Sequence, residues 1–151
     1  MNAMRSCALA AALAVAAPAA AAPIDDSRQL YDAVLTAAAS FIEITAQELP
    51  AAAMAAALTG TVSRPVSAAD AAWMARMVEG GPDAYLPFFP CRQAAVALEG
   101  IASAFSGFLR GQLDRPDVED DARYFRADLA GCEEALGVAP SSVDLADGVG
   151  E

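Results

Sequence analysis

The chain has 151 residues, 20 acidic against nine basic, no histidine, and a formal net charge of −11. A chain this acidic repels nucleic acid and anionic membrane surfaces. All nine basic residues are arginine. Without histidine or lysine the commonest general base, the ordinary catalytic zinc sites, c-type haem attachment, Schiff-base chemistry and the P-loop lysine are excluded.

Residues 1–21 read as a secretory signal peptide. Arg5 supplies the positive start, Ala8 to Ala17 a short apolar core, and Pro18 breaks it before the small residues Ala19, Ala20 and Ala21. Cleavage is expected after Ala21, since a cut after Ala22 would leave Pro23 directly behind it. The apolar core is too short to span a bilayer. Cys7 leaves with the leader, so the mature chain keeps two cysteines, an even number suited to an oxidising compartment. Arg-only and Ala-rich usage suggests a GC-rich bacterial genome, which makes that compartment the periplasm or beyond. Loss of Arg5 brings the mature charge near 8 − 20 = −12. No mature stretch is long and apolar enough to be a transmembrane helix.

The mature chain is rich in Ala, Leu, Met, Glu and Arg and poor in alternating β-branched runs. The expected fold is a single all-α domain over residues 22–139, a bundle of four or five helices. The first helix is predicted from Asp26 to Glu48, with Asp25, Asp26 and Ser27 as N-cap candidates. Its stripes Leu30, Val34, Ala37, Phe41, Ile44 and Tyr31, Leu35, Ala38, Ile42 are wide enough for two neighbours. Glu43 reads as a boundary residue on this helix. Pro50 opens a short helix over Ala51 to Leu58, which Gly60 is expected to cap in the left-handed conformation. Thr61 to Val66 then reads as a loop. Ser67 and Asp70 resemble a capping box for a third helix carrying Ala69, Trp73 and Met77, stopped by Gly80-Gly81-Pro82. Met74 and Met77 read as core rather than as copper ligands.

Three prolines from Pro82 to Pro90 argue against a regular helix in the segment DAYLPFFP. Its apolar side chains Tyr85, Leu86, Phe88 and Phe89 have two readings. One is a crossover that plugs the open end of the bundle. The other is an exposed patch for a partner protein or a small apolar ligand.

Two further helical stripes follow, Cys91, Ala94, Leu98, Ile101, Phe105, Phe108 and Val118, Ala122, Phe125, Leu129, Cys132, Leu136. A polar turn around Asp114 to Pro116 makes them an antiparallel hairpin. Cys91 and Cys132 lie about 22 and about 19 residues from its middle, a mismatch of roughly 5 Å along the axis. A structural disulfide between Cys91 and Cys132 is therefore expected. Gly100, Ala104, Gly107 and Gly111 form a small-residue stripe suited to close approach of another helix, or to a homodimer. Asp117, Glu119, Asp120 and Asp121 complement the dipole of the last helix and match no calcium loop. That helix ends near Leu136-Gly137, and residues 140–151 are expected to fray. No cofactor and no metal site is expected. The functional expectation is a secreted or periplasmic, non-enzymatic interaction or binding protein with an unknown partner. The alternatives are a chaperone-like role in acid stress and a hydrolase built from carboxylates alone.

Overall fold

A computed structural model describes residues 22–148. The leader expected over residues 1–21, with Cys7, lies outside the described residues. Their regular secondary structure is all helical, with no strand among the described residues. Four long helices form the bundle: α1 (Ala22–Thr45), α3 (Arg64–Gly80), α5 (Phe89–Leu109) and α6 (Val118–Leu136). Two short ones, α2 (Ala51–Leu58) and α4 (Pro82–Tyr85), complete it.

The hairpin of α5 and α6 is the most extensive pairing in the molecule. Its seam is the pair of stripes legible in the sequence. Leu98, Ile101, Phe105, Phe125, Leu129 and Leu136 are all buried. Cys91 and Cys132 are joined, with Sγ atoms 2.06 Å apart and Cα atoms 4.5 Å apart, and both are out of contact with solvent. Asp117 caps α6 by accepting the Asp120 amide at 3.0 Å. Gly137 ends it at φ 65°, with the Val138 amide bonded to the Glu133 carbonyl at 3.0 Å.

The middle of the chain departs from expectation. Gly60 does not cap α2, because it takes no positive φ. The backbone instead widens through one π turn, Thr59–Ser63, in which the Arg64 amide reaches the Thr59 carbonyl, and runs on into α3. The wider turn lets the chain enter Pro65, which has no amide proton and sits at the start of α3, without leaving the helical path. Leu58, Val62 and Val66 then fall on one fully buried face, and that burial favours the continuous path over a loop. The expected capping box is also absent. Ser67 and Asp70 lie inside α3, and Asp70 pairs with Arg92 of α5 at 3.0 Å. Likewise α1 already runs from Ala22, the first described residue, so Asp26 and Ser27 lie inside it rather than at a cap, and both are buried.

In the proline segment, α4 is followed by a 3₁₀ turn over Leu86–Phe88 and then by α5. Pro82, Pro87 and Pro90 each stand in the first turn of one of these pieces, where a missing amide costs nothing. Within the chain the small-residue stripe forms no helix–helix seam among the described residues. A Cβ on Gly107 would meet Leu113 Cδ1 at 2.6 Å, so this glycine seats the hairpin turn. Gly111 takes φ 68° as the αL residue that ends α5.

The C-terminal segment is not a frayed tail through the described residues. Residues 138–148 fold back as a strap against α1 and α6, and Leu145 is 1% exposed. Arg126 grips the strap, donating to the carbonyls of Ser141 (2.6 Å) and Val143 (3.3 Å). One buried leucine and two carbonyl clamps are enough to dock so short a segment.

Removing the cystine by Cys91→Ala/Cys132→Ala is expected to lower unfolding stability by about 4 kcal/mol, the loop-entropy value for a 41-residue separation. Leu145→Ala is expected to cost about 2–4 kcal/mol and to expose residues 138–148 to protease and to amide exchange. Denaturant melts and exchange protection measure both.

Candidate functional site

Two buried polar clusters flank the N-terminal half of α1. The first forms around Asp26, which is 6% exposed. Its Oδ1 accepts from Arg76 Nη1 at 2.5 Å and its Oδ2 from the Tyr85 hydroxyl at 2.7 Å. One residue on, Ser27 Oγ accepts the Trp73 indole N–H at 2.9 Å. Trp73 in turn meets the rings of Tyr85 and Phe89 edge-on, at centroid distances of 5.3 and 5.8 Å. Thus α1, α3, α4 and α5 converge on one tryptophan and one carboxylate.

This cluster borders a shallow cleft of about 90 Å³, lined by Asp26, Gln29, Leu30, Trp73 and Arg76 among others. That is well below the ~300 Å³ at which small-molecule sites begin. Burial, reinforced by the hydrogen bond to Asp26 and its negative charge, pushes the Tyr85 hydroxyl up to about 12. A phenol held there keeps its proton at neutral pH and serves Asp26 as a fixed donor. Both carboxylate oxygens are engaged, so the cluster acts as a tether between helices.

The second cluster forms around Glu133, 2% exposed on the inner face of α6. Its Oε1 accepts from the Ser141 amide at 2.8 Å and from the Tyr31 hydroxyl at 3.3 Å. Burial and the neighbouring Glu133 raise the Tyr31 hydroxyl above the usual tyrosine range. Here the carboxylate ties α6 to α1 and to the strap.

The four residues of the proline segment do not share one surface. Tyr85 is buried with its hydroxyl on Asp26, Phe88 and Phe89 are half-buried, and Leu86 is 57% exposed. Tyr85 and Phe89 pack on Trp73, and Leu86 alone of the four stands largely in solvent. Elsewhere, Glu43 is exposed, Met77 is buried and Met74 half-buried. Among the described residues no group of three or more Cys, Asp or Glu side chains is placed to hold a metal ion. No described helix is long and apolar enough to cross a membrane.

Asp26, Ser27 and Glu133 carry the interior chemistry, and the sequence reading assigned none of them an interior role. A signal was present. Ser27 lies three and seven residues before Leu30 and Val34, and Glu133 lies between Cys132 and Leu136. A polar residue inside an apolar stripe marks a buried hydrogen-bonding group. Apart from Ser141, eight residues beyond Glu133, the partners of these groups lie 46 to 102 residues away and leave no local trace. No family model, no curated protein and no solved structure matches the chain.

Because the Tyr85 hydroxyl ionises near 12 in the folded chain and near 10.0 in the unfolded one, its contribution to stability is complete below pH 10. That contribution is lost as pH rises towards 12, where the unfolded state binds fewer protons. Thermal melts from pH 9 to 12 are expected to show this decline, and Tyr85→Phe is expected to flatten it.

Proposed function

We propose that the chain is an exported, non-enzymatic binding protein, working in an oxidising compartment such as the periplasm. The observation that carries this reading is how the interior titratable groups are engaged. Asp26 and Glu133 each accept from two donors on other elements, and Tyr85 is pushed far above the range useful for proton transfer near neutrality. These groups brace the helices, each turned towards its own partners rather than towards a substrate-sized cavity. What the bundle offers outward is surface, including exposed Tyr124, Leu86 and Val96. The buried cystine supports the compartment, because such bonds persist where thiols are oxidised. The leader read over residues 1–21 supports the route there.

Expression of the full chain in a bacterial host, followed by fractionation and intact mass, tests the route. The expected product is a periplasmic chain beginning at Ala22, with no titratable thiol. A full-length cytoplasmic chain with free thiols would overturn the export reading.

A second reading, a chaperone-like role in acid, is favoured by the charge balance. Acid protonates carboxylates in general and leaves eight arginines to make the mature chain positive. Self-repulsion of that charge loosens the packing around Trp73 and the seat of Leu145. At about pH 3 this reading expects a change in Trp73 fluorescence together with suppressed light scattering from an aggregating client. Unaltered client aggregation would end it.

A further inference from the structure

The outer face of the α5–α6 hairpin narrows the chemistry of the partner. An open cleft of about 260 Å³ runs there, lined by Ala97, Gly100, Ile101, Asp121 and Tyr124. Gly100 stands mid-helix without a positive φ, and a Cβ built on it meets nothing within 4 Å. Neither the backbone nor internal packing requires glycine, although a glycine inside a helix is disfavoured relative to alanine. What glycine provides is room for a second backbone to approach from outside. Ala97 and Ala104 share its face at helical spacing and keep the floor smooth. Tyr124, 65% exposed, forms a wall from α6, and Val96, 48% exposed, flanks the floor on α5.

The charge on this face is uncompensated. Asp121 and Asp128 lie two helical turns apart on the same side of α6. The arginines of α6 are engaged elsewhere, Arg123 with Asp120 and Arg126 with the strap. Among the described residues neither Asp121 nor Asp128 meets a cation at ion-pair distance. Asp128 is half-buried, and that burial holds its carboxyl above the ordinary range. A cation delivered there relieves the cost of its partly desolvated charge.

Resting on the binding-protein reading, the geometry points to a docking groove for a cationic amphipathic helix, its small-residue face seated on Gly100 and its Arg or Lys side chains meeting Asp121 and Asp128. A second copy of this chain is a poor occupant, because two bodies of charge near −12 repel.

The probe is a fluorescent helical peptide of Ala, Leu and Arg, with arginines seven residues apart, titrated against the intact oxidised chain by anisotropy. Binding is expected, weakening with salt and absent for the Glu-for-Arg peptide. Asp121→Asn/Asp128→Asn and Gly100→Leu are each expected to weaken it about tenfold or more. Gly100→Leu is also expected to raise the melting temperature, so its loss of binding is not a loss of fold. No binding, or equal binding by wild type and both variants, overturns the groove. If binding is insensitive to the groove variants but lost in Leu86→Ala, the groove fails and the binding-protein reading stands. If crosslinking in the cell's own periplasm also finds no partner, that broader reading fails as well.

Discussion

The cystine between Cys91 and Cys132 is the constraint on which the rest of the bundle depends. It lies in the seam of α5 and α6, with both sulfurs shielded from water. Alanine fills much of this core, at Ala37, Ala38, Ala55, Ala94, Ala95, Ala102 and Ala122. Each contributes little apolar area, so hydrophobic burial per ordered residue is modest. A covalent link over 41 residues reduces the entropy of the unfolded chain and offsets that shortfall. With the hairpin locked, α1 and α3 have a fixed surface to pack against, and Phe41 meets Phe105 across it at 6.1 Å.

The position of α1 is then set by two kinds of force along its length. Its C-terminal half is held by Val34, Ala37, Ala38, Phe41 and Ile44, which are apolar and buried. Its N-terminal half is held by directional bonds: Asp26 and Ser27 to α3 and α4, Tyr31 to Glu133. Apolar contacts alone tolerate sliding and rotation of a smooth Ala-rich helix. Hydrogen bonds to single atoms do not, because a displaced helix would leave buried carboxylates without donors. The polar clusters therefore set the register of α1.

How much of this was legible depended on whether the signal was periodic. The stripes from Leu30 to Ile44, Cys91 to Phe108 and Val118 to Leu136 repeat at three and four residues, and the structure buries nearly all of them. Gly60 and Pro65 misled because each breaks helices on average. A single π turn accommodates the pair, and no composition rule encodes it. The strap was missed for the opposite reason. Leu145 is one apolar residue in a polar run, too little to form a pattern. Its seat exists only once α1 and α6 are assembled. The clusters at Asp26 and Glu133 belong with the strap, since their partners are brought together by topology rather than by spacing.

The two functional readings make opposite demands on the same chemistry. Docking of a cationic helix at Asp121 and Asp128 requires carboxylates that are ionised, and burial holds the Asp128 carboxyl above the ordinary aspartate range, so its charge is lost earlier in acid than that of a free aspartate. The acid-stress reading requires a chain that acid has made positive. The groove sits on the hairpin that the cystine locks, whereas the Asp26 and Glu133 ties sit where α1 and the strap meet the rest of the bundle. Under the docking reading acid weakens the groove's hold on a cation, and under the acid-stress reading it loosens the packing of α1 and the strap. A protein serving both roles would exchange partners with pH, and one serving a single role would show activity on one side of the carboxylate range alone.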